Sequence, residues 1–425
     1  MTAPARAALV GMLVLGAATI AAVLLGTPWR TLATPPGGRT RVDPGRDFTA
    51  EQIAREDAFH HLIRPGSYAA LVLGLVVAGV LGLTPLGARL VGAVARPLGG
   101  GWVWQVLLGS LVLSLIGQLV RLPFAAFGET VLRRYGLSTQ TWGSWAADLA
   151  KGFGVGTALS WAGLVLLYAV VRAAPRSWWA WAAAGGAALV ILLSFVFPVL
   201  VEPVFNRFTP MPAGPLRSSL LDLAAADGVP VRDVLVADAS RRTTALNAYV
   251  SGFGATRRIV VYDTLLSSSD PAEVRLVVAH ELGHAKRRDV LAGTLVGALG
   301  VATGMCGAYL VFGWSWLLAR AGVPGLADPR SLALLLFVAA LVSLLGGPLG
   351  SLVSRRVEAR ADVHALDLTR DPGTFIASER RLSVTNLSDL DPNPVVYGLF
   401  ATHPTGPERI ALARDWARLH AVAAP

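Results

Sequence analysis

The chain has 425 residues, a length that could hold two or three soluble domains. Its composition rules that out: 54% of the residues are hydrophobic, 15% are charged, and the mean hydropathy is +0.56. A net charge of +10 could suggest nucleic acid. However, no RNA- or DNA-binding module is visible, and the arginines follow membrane faces, so lipid head groups are the simpler partner.

Taken in chain order, seven apolar runs are long enough to cross a bilayer, at about 7–26, 66–88, 102–120, 152–171, 178–201, 290–319 and 331–354. Trp29, Trp102, Trp104, Trp178, Trp179 and Trp181 sit at their ends, as an interfacial belt requires. The predicted fold is mainly α: a polytopic membrane protein with seven transmembrane helices and a small α+β domain. Arg6 before the first run could mark a cleaved signal peptide. Charge placement argues otherwise. Of the 37 Lys and Arg residues, 30 fall in alternate compartments beginning with the loop after the first span. The positive-inside rule then puts the N-terminus outside and the C-terminus in the cytoplasm, whereas a signal peptide would reverse every later loop. Cys306 is the sole cysteine and excludes an intrachain disulfide.

Four segments follow: five spans and their loops over 1–202, a soluble piece over 203–289, two spans over 290–354, and a second soluble piece over 355–425. The two soluble pieces lie on one membrane side and can form one domain. FTAEQIAREDAFHHLIRP reads as a short helix leading into the second span, and RYGLSTQTWGSWAADLAKG as an amphipathic helix on the membrane surface. The glycines of GFGVG at 152–156 open a span and follow no strand, so they belong to helix packing and not to a nucleotide loop. In the first soluble piece, AGPLRSSLLDLAAADG predicts a helix stopped by Gly228. RDVLVAD, LNAYVSGF and RRIVVYDTLL predict three short strands. The second piece begins with a helical SRRVEARADVHALDL and ends in a helix from about 406.

The chemistry centres on SSSDPAEVRLVVAHELGHAKRRD. Asp270 is a natural N-cap, Pro271 suits the first helical position, and Glu273 completes a capping box. His280 and His284 then share one helix face, a spacing that lets two imidazole nitrogens reach one Zn2+. Glu281 stands beside them as a proton acceptor for a metal-activated water. Gly283 costs about 1 kcal/mol in a helix interior, which points to a close approach there. A third ligand is nominated by topology. His284 lies shortly before the sixth span and Glu358 shortly after the seventh, so a hairpin across the bilayer returns both to within roughly 6–9 Å of one boundary. Asp362, one helical turn after Glu358, is placed to accept the second N–H of a ligand histidine.

These residues resemble the type I CAAX prenyl endopeptidases, membrane zinc metallopeptidases with seven spans. The similarity runs from about residue 130 onward, on GLSTQTWGSWAADLAKG, EPVFNRFTPMPAGPL, the NAYVSGF and RRIVVYDTLL pair, HELGH, SRRVEARADVHAL and ATHPTGPERI. The resemblance implies a zincin-like cytoplasmic domain in which His280, His284 and Glu358 bind zinc and Glu281 is the general base. It also implies that Asp362 is the second acidic position and that His403 lies near the substrate. Arg409 belongs to the same segment as His403. Asn247 and Tyr249, on the strand before the site, could pair with an extended substrate backbone. The expected substrate is a membrane-associated or extended protein, and a prenylated one does not follow from these residues. The rival readings are a catalytically inactive scaffold and a transporter with a structural metal. Against the transporter, the apolar runs lack Asp, Glu, Lys and Arg.

Overall fold

A computed structural model describes residues 1–252 and 254–425. Phe253, the last residue of the NAYVSGF motif, lies outside the described residues. Among these residues, seven helices are long and apolar enough to cross a membrane. In chain order the principal helices are α1 (Ala3–Gly26), α2 (Ala50–Leu83), α3 (Pro85–Ala95), α4 (Trp102–Arg134), α5 (Trp142–Ala173) and α6 (Trp178–Val196). They continue with α7 (Pro215–Ala226), α8 (Pro271–Arg287), α9 (Asp289–Val311), α10 (Leu332–Thr369), α11 (Pro372–Thr385), α12 (Pro394–Phe400) and α13 (Gly406–Leu419). The strands are β1 (Phe208–Pro210), β2 (Asp233–Ala237), β3 (Ala248–Ser251) and β4 (Arg258–Tyr262).

The membrane helices match the apolar runs, with local differences that have chemical causes. The second run is cut at Thr84, whose hydroxyl accepts the Leu86 N–H at 3.3 Å and caps α3, with Pro85 at the first helical position. The run from 290 ends at Val311, and a separate short helix, Ser315–Ala321, follows Gly313 and Trp314. WGSWAADLAK is not a surface helix. It forms the first turns of α5, started by Thr141, whose hydroxyl accepts the Ser144 N–H at 3.1 Å. The apolar run after it simply extends that helix. Likewise SRRVEARADVHALDL does not start a new helix but prolongs α10 beyond the membrane. After α6, Pro198 has no N–H to donate, and the chain passes through a π turn over Phe197–Val201.

The sheet order is β1-β2-β4-β3, with β2 and β4 parallel and both outer pairs antiparallel. β1 was not anticipated: its FTP sequence carries no alternation, and it exists by pairing with β2. The DTLL end of the third expected strand is helical, over Asp263–Ser268. The sheet and α7, α8, α10, α11 and α13 share one hydrophobic core that includes Leu220, Ile259, Leu282, Leu366, Ile376 and Trp416. Both soluble pieces thus contribute to a single core. A second core, with Val91, Tyr168 and Leu332, lies among the membrane helices. The first loop crosses the soluble core as a strap: Asp47 accepts from Arg380 at 2.6 Å and from Arg414 at 2.8 Å.

Candidate metal centre

Helix α8 begins as its sequence dictates, with Asp270 as cap, Pro271 next, and the Glu273 carboxylate accepting the Asp270 N–H at 3.2 Å. Val274, Val278 and Leu282 bury one face in the core. This fixes the rotation of the helix and turns His280 and His284 toward α10. Their Nε2 atoms are 3.2 Å apart. Glu358 on α10 closes the group, with one oxygen 3.3 Å from the His280 Nε2 and the other 3.6 Å from the His284 Nε2. Glu281 completes it: one donor atom from each of His280, Glu281 and His284 lies within 4.8 Å of the others.

The Nδ1 atoms face outward onto carboxylates, which can only accept, so each Nδ1 keeps a proton and each Nε2 is the nitrogen that a second proton or a cation can occupy. The Asp362 carboxylate accepts from His280 Nδ1 at 2.9 Å, and that of Asp289 accepts from His284 Nδ1 at 2.9 Å. Electrostatically the pocket is built to hold positive charge. Burial works to lower the pKa of His280, yet Asp362 and Glu358 overcome it and raise it to about 10. For His284, burial is likewise outweighed by Asp289 and Glu358, and its pKa rises to about 9. Burial holds the Glu281 pKa above the ordinary carboxylate range, opposed by the two histidines, a poise suited to taking up and returning a proton.

The group opens on a cavity of about 1840 Å³ whose lining includes Glu281, His403, Tyr249, Asn247, Tyr68 and Phe195. Polar groups from the soluble core and apolar ones from the membrane helices therefore face the same space. β3 is an edge strand, paired on one side only with β4.

Family models match along most of the chain: the CAAX prenyl protease N-terminal domain, described as five membrane helices, over residues 66–207, and peptidase family M48 over residues 210–417. The metalloprotease YhfN of Bacillus subtilis, itself described as uncharacterized, is 34% identical over 305 residues, covering 70% of this chain and 71% of that protein. The chain belongs to peptidase family M48. It is also similar to the CAAX prenyl protease 1 homolog of Arabidopsis thaliana, 30% identical over 302 residues and 69% of each chain. The crystal structure of S. mikatae Ste24p has the same fold, with a TM-score of 0.78, 22% identity, and coverage of 95% of this chain and 99% of that one. This M48 protein is thus a multi-pass membrane metallopeptidase in family and fold.

The remaining residues singled out by sequence fall as follows. His403 follows α12 on an exposed loop, its Nε2 3.5 Å from Glu358 and its Nδ1 3.0 Å from the Thr402 hydroxyl. Arg409, on α13, lies partly buried behind the histidines, donating to Asp362 at 2.9 Å and lying 2.8 Å from Glu379. Asn247 is exposed beside the cavity, and its carbonyl accepts the Tyr262 N–H at 3.0 Å. Tyr249 packs edge-on against Tyr262, with ring centroids 6.4 Å apart.

Gly283 has its close approach. A Cβ there would meet the Cδ2, Cβ and Cγ atoms of His364 at 3.0–3.2 Å, and the His364 ring is pinned by Asp227 at 3.0 Å. Sequence alone did not single out Asp289, Arg360 or Glu379. Glu379 and Arg409 come from separate helices, and no spacing links them to HELGH.

Proposed function

We propose that this metallopeptidase is a zinc endopeptidase that hydrolyses extended or membrane-associated polypeptides at the cytoplasmic face of the membrane. The observation that carries the reading is the set of three separations among His280, His284 and Glu358. Bonds of about 2.0–2.1 Å in a tetrahedral site would hold ligand atoms about 3.3 Å apart; the two Nε2 atoms lie 3.2 Å apart, and the Glu358 carboxylate sets one oxygen 3.3 Å from His280 Nε2 and its other oxygen 3.6 Å from His284 Nε2. Two neutral imidazoles and a carboxylate also suit zinc by type, and leave a fourth position open. In this reading residues 203–289 and 355–425 supply the catalytic pieces, while 1–202 and 290–354 supply the membrane frame. The distribution of 30 of 37 basic residues favours a cytoplasmic catalytic side and an external N-terminus.

Bound there, zinc supplies Lewis acidity and lowers the pKa of water toward about 7. The chain's own residues do the rest. The free edge of β3, whose outward backbone groups belong to Ala248 and Val250 while Asn247 and Tyr249 face the cavity, receives the substrate backbone as an added strand and sets the scissile bond over the site. Glu281 takes a proton from the attacking water and passes it to the leaving amine. His403, on the open side of the site, donates toward the oxygen that gains charge as the carbonyl becomes tetrahedral. Asp362 holds the His280 ring, and Arg409 holds Asp362.

Zinc content and hydrolysis of an unstructured peptide should be measured together on detergent-purified protein. Wild type and Glu281→Gln should each carry about one zinc, and Glu358→Ala should lose most of it. Glu281→Gln should lose activity by about 10²–10⁴-fold. A Glu281→Gln protein that keeps both zinc and full hydrolysis would end the proposal.

A further inference from the structure

Asp289 is the first residue of the membrane helix α9, yet its carboxylate turns back on the metal centre. The reversal is local. Arg288 ends α8 in the left-handed region, at φ 58°, and redirects the chain so that Asp289 faces His284 instead of continuing around the helix. One oxygen of Asp289 accepts from His284 Nδ1 at 2.9 Å, and the other accepts from Arg360 Nη2 at 2.5 Å. Arg360 lies on α10, two residues after Glu358. α9 and α10 are consecutive membrane helices that pack on different neighbours, α9 on α1 and α6, α10 on α2 and α4. At the metal end they meet, where a carboxylate that begins α9 is locked by a guanidinium of α10 beside His284.

We infer that Asp289 and Arg360 are positioning residues. The Asp289 carboxylate fixes the tautomer and ring plane of His284 so that Nε2 faces the ion, and Arg360 fixes the carboxylate. The tie between the start of α9 and the helix that carries Glu358 then sets the position of a metal-facing nitrogen. This rests on the metallopeptidase reading above and extends it to a second support, independent of Asp362. The bland alternative is that Asp289 only complements the N-terminal dipole of α9 and pairs with Arg360 at the membrane boundary. The two differ in what they move: a cap affects melting temperature, whereas a positioning residue affects the metal.

The test uses the full chain in detergent, stripped of metal and titrated with Co2+, whose visible spectrum reports coordination geometry, and with Zn2+ in competition. Asp289→Asn should weaken binding of both metals ten- to a hundredfold, alter the cobalt spectrum, and lower kcat on an unstructured peptide with KM little changed. Asp289→Glu should recover part of each effect. Arg360→Gln should act in the same direction but less, and the double variant should bind no more weakly than Asp289→Asn alone, because Arg360 acts through Asp289.

Asp289→Asn with wild-type affinity and spectrum but a lower melting temperature would overturn the inference and leave only the cap. Should Asp289→Asn fail to fold, Arg360→Gln decides: unchanged affinity and spectrum would likewise overturn it. Wild-type protein that takes up no cobalt would instead overturn the metallopeptidase reading, and this inference with it.

Discussion

The two histidines of the HELGH helix are supported by regions of different character. His280 is backed by the soluble core: Asp362 is fully buried, Arg409 lies 16% exposed beside it, and Glu379 closes the group from α11. His284 is backed by the membrane boundary, where Asp289 and Arg360 are 14% and 25% exposed. Each histidine thus meets a carboxylate and then an arginine, once in a dry interior and once at a wetter edge. The contrast separates two contributions of such chains. In the interior, the charges must be paired for the fold to exist at all. At the edge, solvent screens the same pairing, and what remains is orientation.

The largest expected difference lies in the arginines. Arg409→Ala leaves Asp362 and Glu379 buried without their partner and should cost about 3–5 kcal/mol of stability. Arg360→Ala removes a partly exposed pair and should cost about 1 kcal/mol or less. Thermal unfolding of both variants in the same detergent checks this. Equal losses would mean that burial does not distinguish the two supports. Next in size is Asp362→Asn, which should weaken zinc binding about ten- to a hundredfold while leaving much of the core packing intact. Competition with a chelator measures it, and unchanged affinity would remove Asp362 from the site.

How much of this was readable in advance follows from helix geometry. His280, Glu281 and His284 lie on one helix, and Glu358 and Asp362 lie on another at a one-turn spacing, so their faces could be read from residue numbers. The seven spans were legible for a similar reason, since length and apolarity alone decide them. Asp289 was not legible. On a continuous helix a residue five positions after His284 would point about 140° away from it, by the 3.6-residue period. Only the left-handed turn at Arg288 brings it back. Strand β1 was hidden for a different reason: it depends on a partner strand, with little signal of its own.

A pH series sharpens the comparison further. In metal-free protein the pKa of His280 is raised to about 10 and that of His284 to about 9, against an ordinary value of 6.5. Groups raised on folding stabilise the metal-free fold fully below about pH 6.5, and that contribution is lost as the pH climbs through 9 and 10. Metal needs the same Nε2 atoms unprotonated, so its binding strengthens over the same range. The rise in melting temperature caused by added zinc should therefore be small near pH 6 and grow toward pH 8.5. A zinc-dependent rise that stays flat with pH would show that protons and metal do not compete for these nitrogens.

The smallest effect comes from the helix that carries both histidines, and its sign is decided by a neighbour. Gly283→Ala should gain about 1 kcal/mol from helix propensity. Against this, the new Cβ would sit 3.0–3.2 Å from three atoms of His364, closer than ordinary contact. The His364 ring cannot swing aside freely, because its Nε2 lies 3.0 Å from Asp227, and Asp227 also holds Lys286 at 2.7 Å. Breaking a buried charged hydrogen bond costs about 1–3 kcal/mol, which exceeds the helical gain. Gly283→Ala should therefore destabilise by about 1 kcal/mol. The same change made on a His364→Gly background, which removes the Cβ as well as the ring, should instead stabilise by about as much, since the obstacle is gone and the propensity gain remains. A reversal of sign between the two backgrounds, read from melting temperatures, would show that the glycine is there to admit His364 under the HELGH helix. Destabilisation in both would place the obstacle in the helix itself.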